Sequence, residues 1–164
     1  MPQTTFRTAL ITGASAGLGA EYARQLAAAG TNLILVARRL DRLAELAHEL
    51  REKHAVDVEG LQADLATAEG IERVEHRIAE TATLDLLINN AGIGGGPGSF
   101  AEREAGHHLG MVQVHVATTV RLCRTGSIPL VFCEAEIHWT ITLRPLGFRA
   151  SCPILRLFEL YDAF

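Results

Sequence analysis

Four short, largely apolar runs alternate with amphipathic segments along the first three quarters of this chain, and that alternation limits the fold more than any other feature. "RTALITG" stops at Gly13, "TNLILVA" covers Thr31 to Ala37, "VDVEGLQAD" alternates weakly up to Asp64, and "LDLLINNAG" runs from Leu84 into Gly92. The first, second and fourth runs lack a polar face, which suits strands buried on both sides of a sheet. Between them the period changes. Leu18, Tyr22, Leu26 and Ala29 recur at helical spacing from Gly17, and Gly30 stands where a left-handed residue would end that helix. Leu40, Leu43, Leu46, Ala47 and Leu50 share a helical face in "RRLDRLAELAHELREKH", as do Ile71, Val74 and Ile78 in "TAEGIERVEHRIAE". Strands joined by helices of this length predict right-handed crossovers and a parallel sheet covered on both faces. After the glycine-rich connection "GIGGGPGSF", a further helix is expected from about Arg103 to Arg124, with Leu109, Val112, Val116 and Val120 on its apolar side.

The stretch "TGASAGLG" joins the first strand to the first helix. At that place the helix presents unpaired N–H groups and a partial positive charge, so an anion is favoured. Glycine lets a pyrophosphate approach the backbone and permits positive φ where the turn needs it. A glycine loop between a strand and a helix, opening a repeated βα pattern, points to dinucleotide binding on a Rossmann-type, doubly wound α/β fold. Simple turn glycines are the bland alternative. A nucleoside triphosphate loop is excluded, because it needs Lys-Ser/Thr after its last glycine and Gly19 is followed by Ala20 and Glu21.

The 164 residues suffice for one domain. A hydrophobic share of 48% and a net charge of -4 fit a globular protein and argue against a nucleic-acid partner. Cys123, Cys133 and Cys152 lack the paired short spacings of a metal site, so reduced, buried thiols and no metal are expected. The absence of a leader pattern or a long apolar run leads to the expectation of a cytoplasmic protein without membrane insertion.

With these residues in view, the chain resembles the short-chain dehydrogenase/reductases. "TGASAGLG" is similar to that family's cofactor loop, "ADL" (Ala63 to Leu65) to its adenine-contacting motif, "NNAG" (Asn89 to Gly92) to the element closing over the cofactor, and "MVQVHVATTVRLCR" to its next helix. The resemblance covers residues 6 to 124. It implies that Gly13, Ser15, Gly17, Leu18 and Gly19 cradle the pyrophosphate, that Asp64, beside Leu65, accepts from the adenine amino group, and that Asn90, Ala91 and Gly92 line the ribose side. Thr12 and Asn89 are expected to tie adjacent loops together. Residues 1–124 then form the NADP(H)-binding region and 125–164 a divergent tail of the same domain, the sheet being recognisable through its fourth or fifth strand. The resemblance also implies a small alcohol/carbonyl substrate and allows a homo-oligomer, assembled in relatives through the helix matching residues 103 to 124.

Charge bears on the choice of cofactor. An acidic residue closing the second strand would favour NAD, but here "VARRL" supplies Arg38 and Arg39, which can make bidentate contacts to a 2′-phosphate. NADP(H) is therefore preferred over NAD(H); the other reading of the two arginines is the start of a solvated helix. Catalysis is less legible. The family uses a Tyr with a Lys four residues later, yet this chain has only Tyr22 and Tyr161, and its one lysine is Lys53. Four on from Tyr161 falls one residue past Phe164. The family's Asn position holds His115, readable as a packed residue or as a proton relay. Counting on, the Ser, Tyr and Lys positions fall near Thr142, Leu155 and Glu159. From Thr125 the texture changes, as in a tail replaced by frameshift, splicing or divergence, although "IPLVFC" and "HWTITL" could form strands and "ILRLFELYDAF" a helix.

Overall fold

The computed structural model describes residues 6–94, 100–125, 128, 130–134 and 138–141, the last two spans as backbone. The elements run β1 (Thr8–Thr12), α1 (Gly17–Ala28), β2 (Asn32–Ala37), α2 (Leu40–His54), β3 (Val58–Gln62), α3 (Ala68–Glu80), β4 (Leu84–Asn89), α4 (Ala105–Val112), a π-helical stretch (Gln113–Thr118), α5 (Thr119–Arg124), β5 (Leu130–Glu134) and β6 (His138–Ile141). They build one sheet in the order β3-β2-β1-β4-β5-β6, parallel through β5 and closed by β6 running antiparallel to β5. β6 falls within the second tail segment that the sequence offers as a strand, and β5 within the first except for Glu134. The chain winds outward from β1 to β3 and then returns to the other side of β1. A crevice opens at the carboxyl ends of the strands where that order reverses.

The absence of polar alternation in β1, β2 and β4 has a direct cause. Successive side chains of a strand point to opposite faces, and here both faces are covered. Ile11, Leu35 and Ile88 pack with Tyr22, Leu26, Leu43 and Leu50 of α1 and α2. Their neighbours Leu10, Ile34 and Leu87 pack with Ile71, Val74, Ile78 and Leu122 on the opposite side. Each such side chain, fully buried, contributes about 1.5–3 kcal/mol. β3 is an edge strand and keeps partly exposed residues, with Arg77 of α3 bonded to its Glu59. On the far side of α1 and α2, Lys53 and Arg24 hold the Glu49 carboxyl below its ordinary range, mainly through hydrogen bonds.

Helical periodicity located the apolar faces well in α1, α2 and α3, apart from Leu18 and Leu40, which are exposed in first turns at the crevice end of the sheet. Gly30 takes φ +84° directly after the α1 C-cap. The helix expected at 103–124 needs a larger correction. It begins at Ala105 and passes through a π-helical stretch, and the four residues placed on its apolar side, Leu109, Val112, Val116 and Val120, are all more than half exposed. The buried positions are Val114, Thr118 and Leu122. The pattern marked a real apolar stripe, but periodicity cannot say which face meets the sheet. Thr118 decides the matter: its Oγ1 lies 3.0 Å from the Leu65 carbonyl and 2.9 Å from the Gln113 carbonyl, fixing that face inward.

Cys123 is half-buried, and its Sγ accepts from the Asn89 side-chain amide at 3.5 Å. The side chain of Cys133, together with Cys152, Thr142, Leu155, Glu159, Tyr161 and the suggested terminal helix, lies outside the described residues. Among the described residues no helix is long and apolar enough to cross a membrane, and no group of three His, Cys, Asp or Glu could hold a metal ion.

Candidate functional site

The site is assembled from four crossover turns at the carboxyl end of the sheet. Gly13 follows β1 with φ +69°, a conformation that a Cβ would strain. A Cβ at Gly19, in the first turn of α1, would come within 2.5 Å of the Gly13 carbonyl and the Asn90 amide. The glycine loop is therefore folded tightly upon itself and against the turn after β4.

That contact is secured by side chains far apart in sequence. Thr12 Oγ1, almost wholly buried, accepts from the backbone N–H groups of Asn90 and Ala91, each at 3.0 Å. Asn90 returns the link, donating its side-chain amide to the carbonyls of Thr12 (2.8 Å) and Gly13 (3.2 Å). Thr12 thus acts as the tie between loops that the sequence suggests. The amide of Asn90 also serves the loops, so that its backbone and the adjoining Ala91 and Gly92 form the wall.

Together these turns enclose a cavity of about 390 Å³, a size typical of small-molecule sites. Gly13, Ser15, Leu18, Arg38, Arg39, Asp64, Leu65, Asn90, Ala91 and Gly92 line it, with Val36, Ile93 and Val114 among the others. Sequence reasoning missed Ile93 and Val114. The helical spacing of Val114 with Thr118 and Leu122 was the available signal, outweighed by a longer apolar stripe. Gly17 and Gly19 are not among the lining residues; Gly17 opens α1 at φ +57°, and Gly19 is buried behind the loop.

The electrostatics of the cavity are uneven. Neither α1 nor α2 has a side chain capping its first turn, and α1 carries no acidic residue there, so its N–H groups and partial positive charge are available to an anion. Arg38 and Arg39 are exposed at the end of β2, and Arg39 donates to Ser15 Oγ at 3.1 Å, bringing a guanidinium onto the glycine loop. Asp64 supplies the single carboxylate of the lining, its Oδ1 accepting from Ala66 N–H at 3.0 Å. An uncapped helix terminus with two flanking arginines fits a ligand bearing several phosphate charges, and a dinucleotide is such a ligand.

His115 is half-buried in the π-helical stretch and is neither part of the core nor paired with a charge among the described residues. Its Nε2 accepts from Ile93 N–H at 2.9 Å.

Comparison with known proteins agrees with this arrangement. A family model described as short chain dehydrogenase matches residues 7–131. The chain belongs to the short-chain dehydrogenase family. A very-long-chain 3-oxoacyl-CoA reductase of Eremothecium gossypii is 35% identical over 169 aligned positions, covering 95% of this chain and 46% of that protein. Among solved structures, the bulky-bulky ketone specific alcohol dehydrogenase from Comamonas testosteroni superposes with a TM-score of 0.71 at 40% identity, over 74% of this chain and 48% of that one. A short-chain dehydrogenase from Sphingobium yanoikuyae, solved in complex with NADPH, gives 0.70 and 41% over 73% and 46%. The chain spans about half the length, or less, of these family members.

Proposed function

We propose that this chain binds NADP(H), in preference to NAD(H), in the cavity at the carboxyl end of its sheet, and that it serves the oxidoreduction of an alcohol/carbonyl pair. The observation carrying this reading is the junction of an uncapped glycine-loop helix terminus with Arg38 and Arg39 on one cavity. Gly13, Ser15 and Leu18, with Gly17 and Gly19 shaping the loop, would face the pyrophosphate. Arg38 and Arg39 would take the 2′-phosphate, helped by Ser15. Asp64, beside Leu65, would accept from the adenine amino group, and Asn90, Ala91 and Gly92 would line the ribose. The bound nicotinamide supplies hydride transfer; this chain's described residues hold and orient it. The NADPH bound in the Sphingobium structure supports the choice of cofactor.

A second reading is favoured by a specific observation: no Tyr-x-x-x-Lys occurs anywhere in the 164 residues. A phenol near its ordinary pKa of about 10 needs a neighbouring cation to act near neutral pH. On that reading residues 1–124 bind NADP(H) without turnover, and 125–164 form a divergent tail. The exposed stripe of Leu109, Val112, Val116 and Val120 supports assembly of two copies through this helix under either reading.

Titrating the chain with NADPH and, separately, NADH, following nicotinamide fluorescence, tests the binding claim: saturation that favours NADPH is expected, and failure to bind either overturns it. Adding a 3-oxoacyl-CoA, the substrate type named for the Eremothecium relative, separates the two readings. Substrate-dependent loss of NADPH supports the enzyme, and binding without it supports the non-catalytic form.

A further inference from the structure

Gly92 and Ile93 form the wall of the cavity that follows β4, and one side chain holds that wall from behind. His115 Nε2 lies 2.9 Å from Ile93 N and 3.3 Å from Ile93 O. Its ring is packed so closely on Gly92 that a Cβ there would sit 3.1 Å from Cε1. His115 belongs to the π-helical stretch Gln113–Thr118, whose far end is pinned by Thr118 Oγ1 to Leu65 O, and Leu65 lines the same cavity. One helix segment therefore braces the wall after β4 against the turn after β3.

Accepting a hydrogen bond from Ile93 N–H requires Nε2 to be bare, with the ring proton on Nδ1. A protonated imidazole has no acceptor and would set two donors against each other at 2.9 Å. It would have to turn towards the Ile93 carbonyl and release the amide. The positions three and four away on its own element hold Met111, Val112, Thr118 and Thr119, none of them charged. The charged groups that line the same cavity are Asp64, Arg38 and Arg39.

We propose that His115 is a positioning residue whose neutral ring latches the Gly92–Ile93 wall in place, so that protonating it loosens the wall and weakens cofactor binding. This rests on the NADP(H)-binding reading above. The histidine is a holder of the pocket and takes no direct part in hydride transfer.

The test compares wild type, His115→Asn and His115→Phe by calorimetric titration with NADP+ at about pH 8 and about pH 5.5. Asn offers both a carbonyl for Ile93 N–H and an amide for Ile93 O, and does not titrate; Phe offers neither. The cofactor's own phosphate titration is common to all three proteins and cancels in the comparison. Between the two pH values, wild-type affinity is expected to fall about three- to tenfold more than that of His115→Asn. His115→Phe is expected to bind weakly at both. An equal pH response in wild type and His115→Asn overturns the proposal.

A second readout needs no cofactor. The Ile93 amide resonance, followed by 15N NMR in the free chain, should titrate sigmoidally in wild type and stay flat in His115→Asn. If NADP+ fails to bind any of the three, the cofactor reading falls by itself and this resonance decides the latch: a wild-type titration keeps it, and a flat response removes it.

Discussion

The turns that lead into α1 and α3 lie at the same end of the same sheet, yet they are built to opposite plans. At α3 the turn satisfies itself. Thr67 Oγ1 caps the helix by accepting from Gly70 N–H at 3.1 Å while donating to the Asp64 carbonyl at 2.9 Å, and Asp64 Oδ1 takes the Ala66 amide. Gly70 sits so close that a Cβ would overlap the Asp64 backbone. At α1 no side chain caps the helix, and the turn is held from outside by Thr12 and Asn90. The difference teaches where to look for function: Thr67 closes the α3 turn with a side-chain cap, whereas the α1 turn leaves its N–H groups uncapped and open to an anion.

That contrast can be broken most severely at Gly70. Gly70→Ala forces a Cβ into backbone, and we expect a loss of about 3 kcal/mol or more in chemical denaturation, enough to approach unfolding. Next comes Thr12→Val, which keeps the shape but removes the acceptor of the part-buried N–H groups of Asn90 and Ala91. A cost of about 2–4 kcal/mol is expected, together with weaker NADPH binding, because the tie between the two cavity walls is lost. Unchanged stability would show that water replaces the hydroxyl.

Arg38→Asp sharpens the comparison from the ligand side. Folding should be almost unaffected, while NADPH affinity falls by roughly ten- to a hundredfold and NADH affinity changes much less. Equal losses for both cofactors would remove the 2′-phosphate role. The smallest effect is expected for Thr67→Ala, about 1 kcal/mol of stability from a lost helix cap, with NADPH affinity retained. A large loss of affinity in that variant would mean that the cap also positions Asp64 in the cavity wall.

Much of this was legible in the residues. The switch from strand to helical periodicity located the first seven elements, since buried strands and amphipathic helices carry patterns of their own period. The glycine loop and Arg38–Arg39 were legible because their chemistry is local to one turn. The helix after the long glycine connection was harder. Leu109, Val112, Val116 and Val120 repeat as a buried face would, but they face outward, and Val114, Thr118 and Leu122 meet the sheet instead, the inward face being the one that carries the Thr118 bond to Leu65.

By itself, then, the sequence determined the alternation of strands and helices, the place of the glycine loop, and the lack of a Tyr-x-x-x-Lys pair, because each depends on residue types at short spacing. Only the tertiary structure decided that Thr12 meets Asn90, that Arg39 reaches Ser15, that His115 holds Ile93, and which side of the helix beyond residue 104 is covered. Those pairings join residues from 22 to 78 positions apart. They arise when parallel strands bring the ends of separate crossovers to one edge, and no local pattern along the chain encodes that meeting.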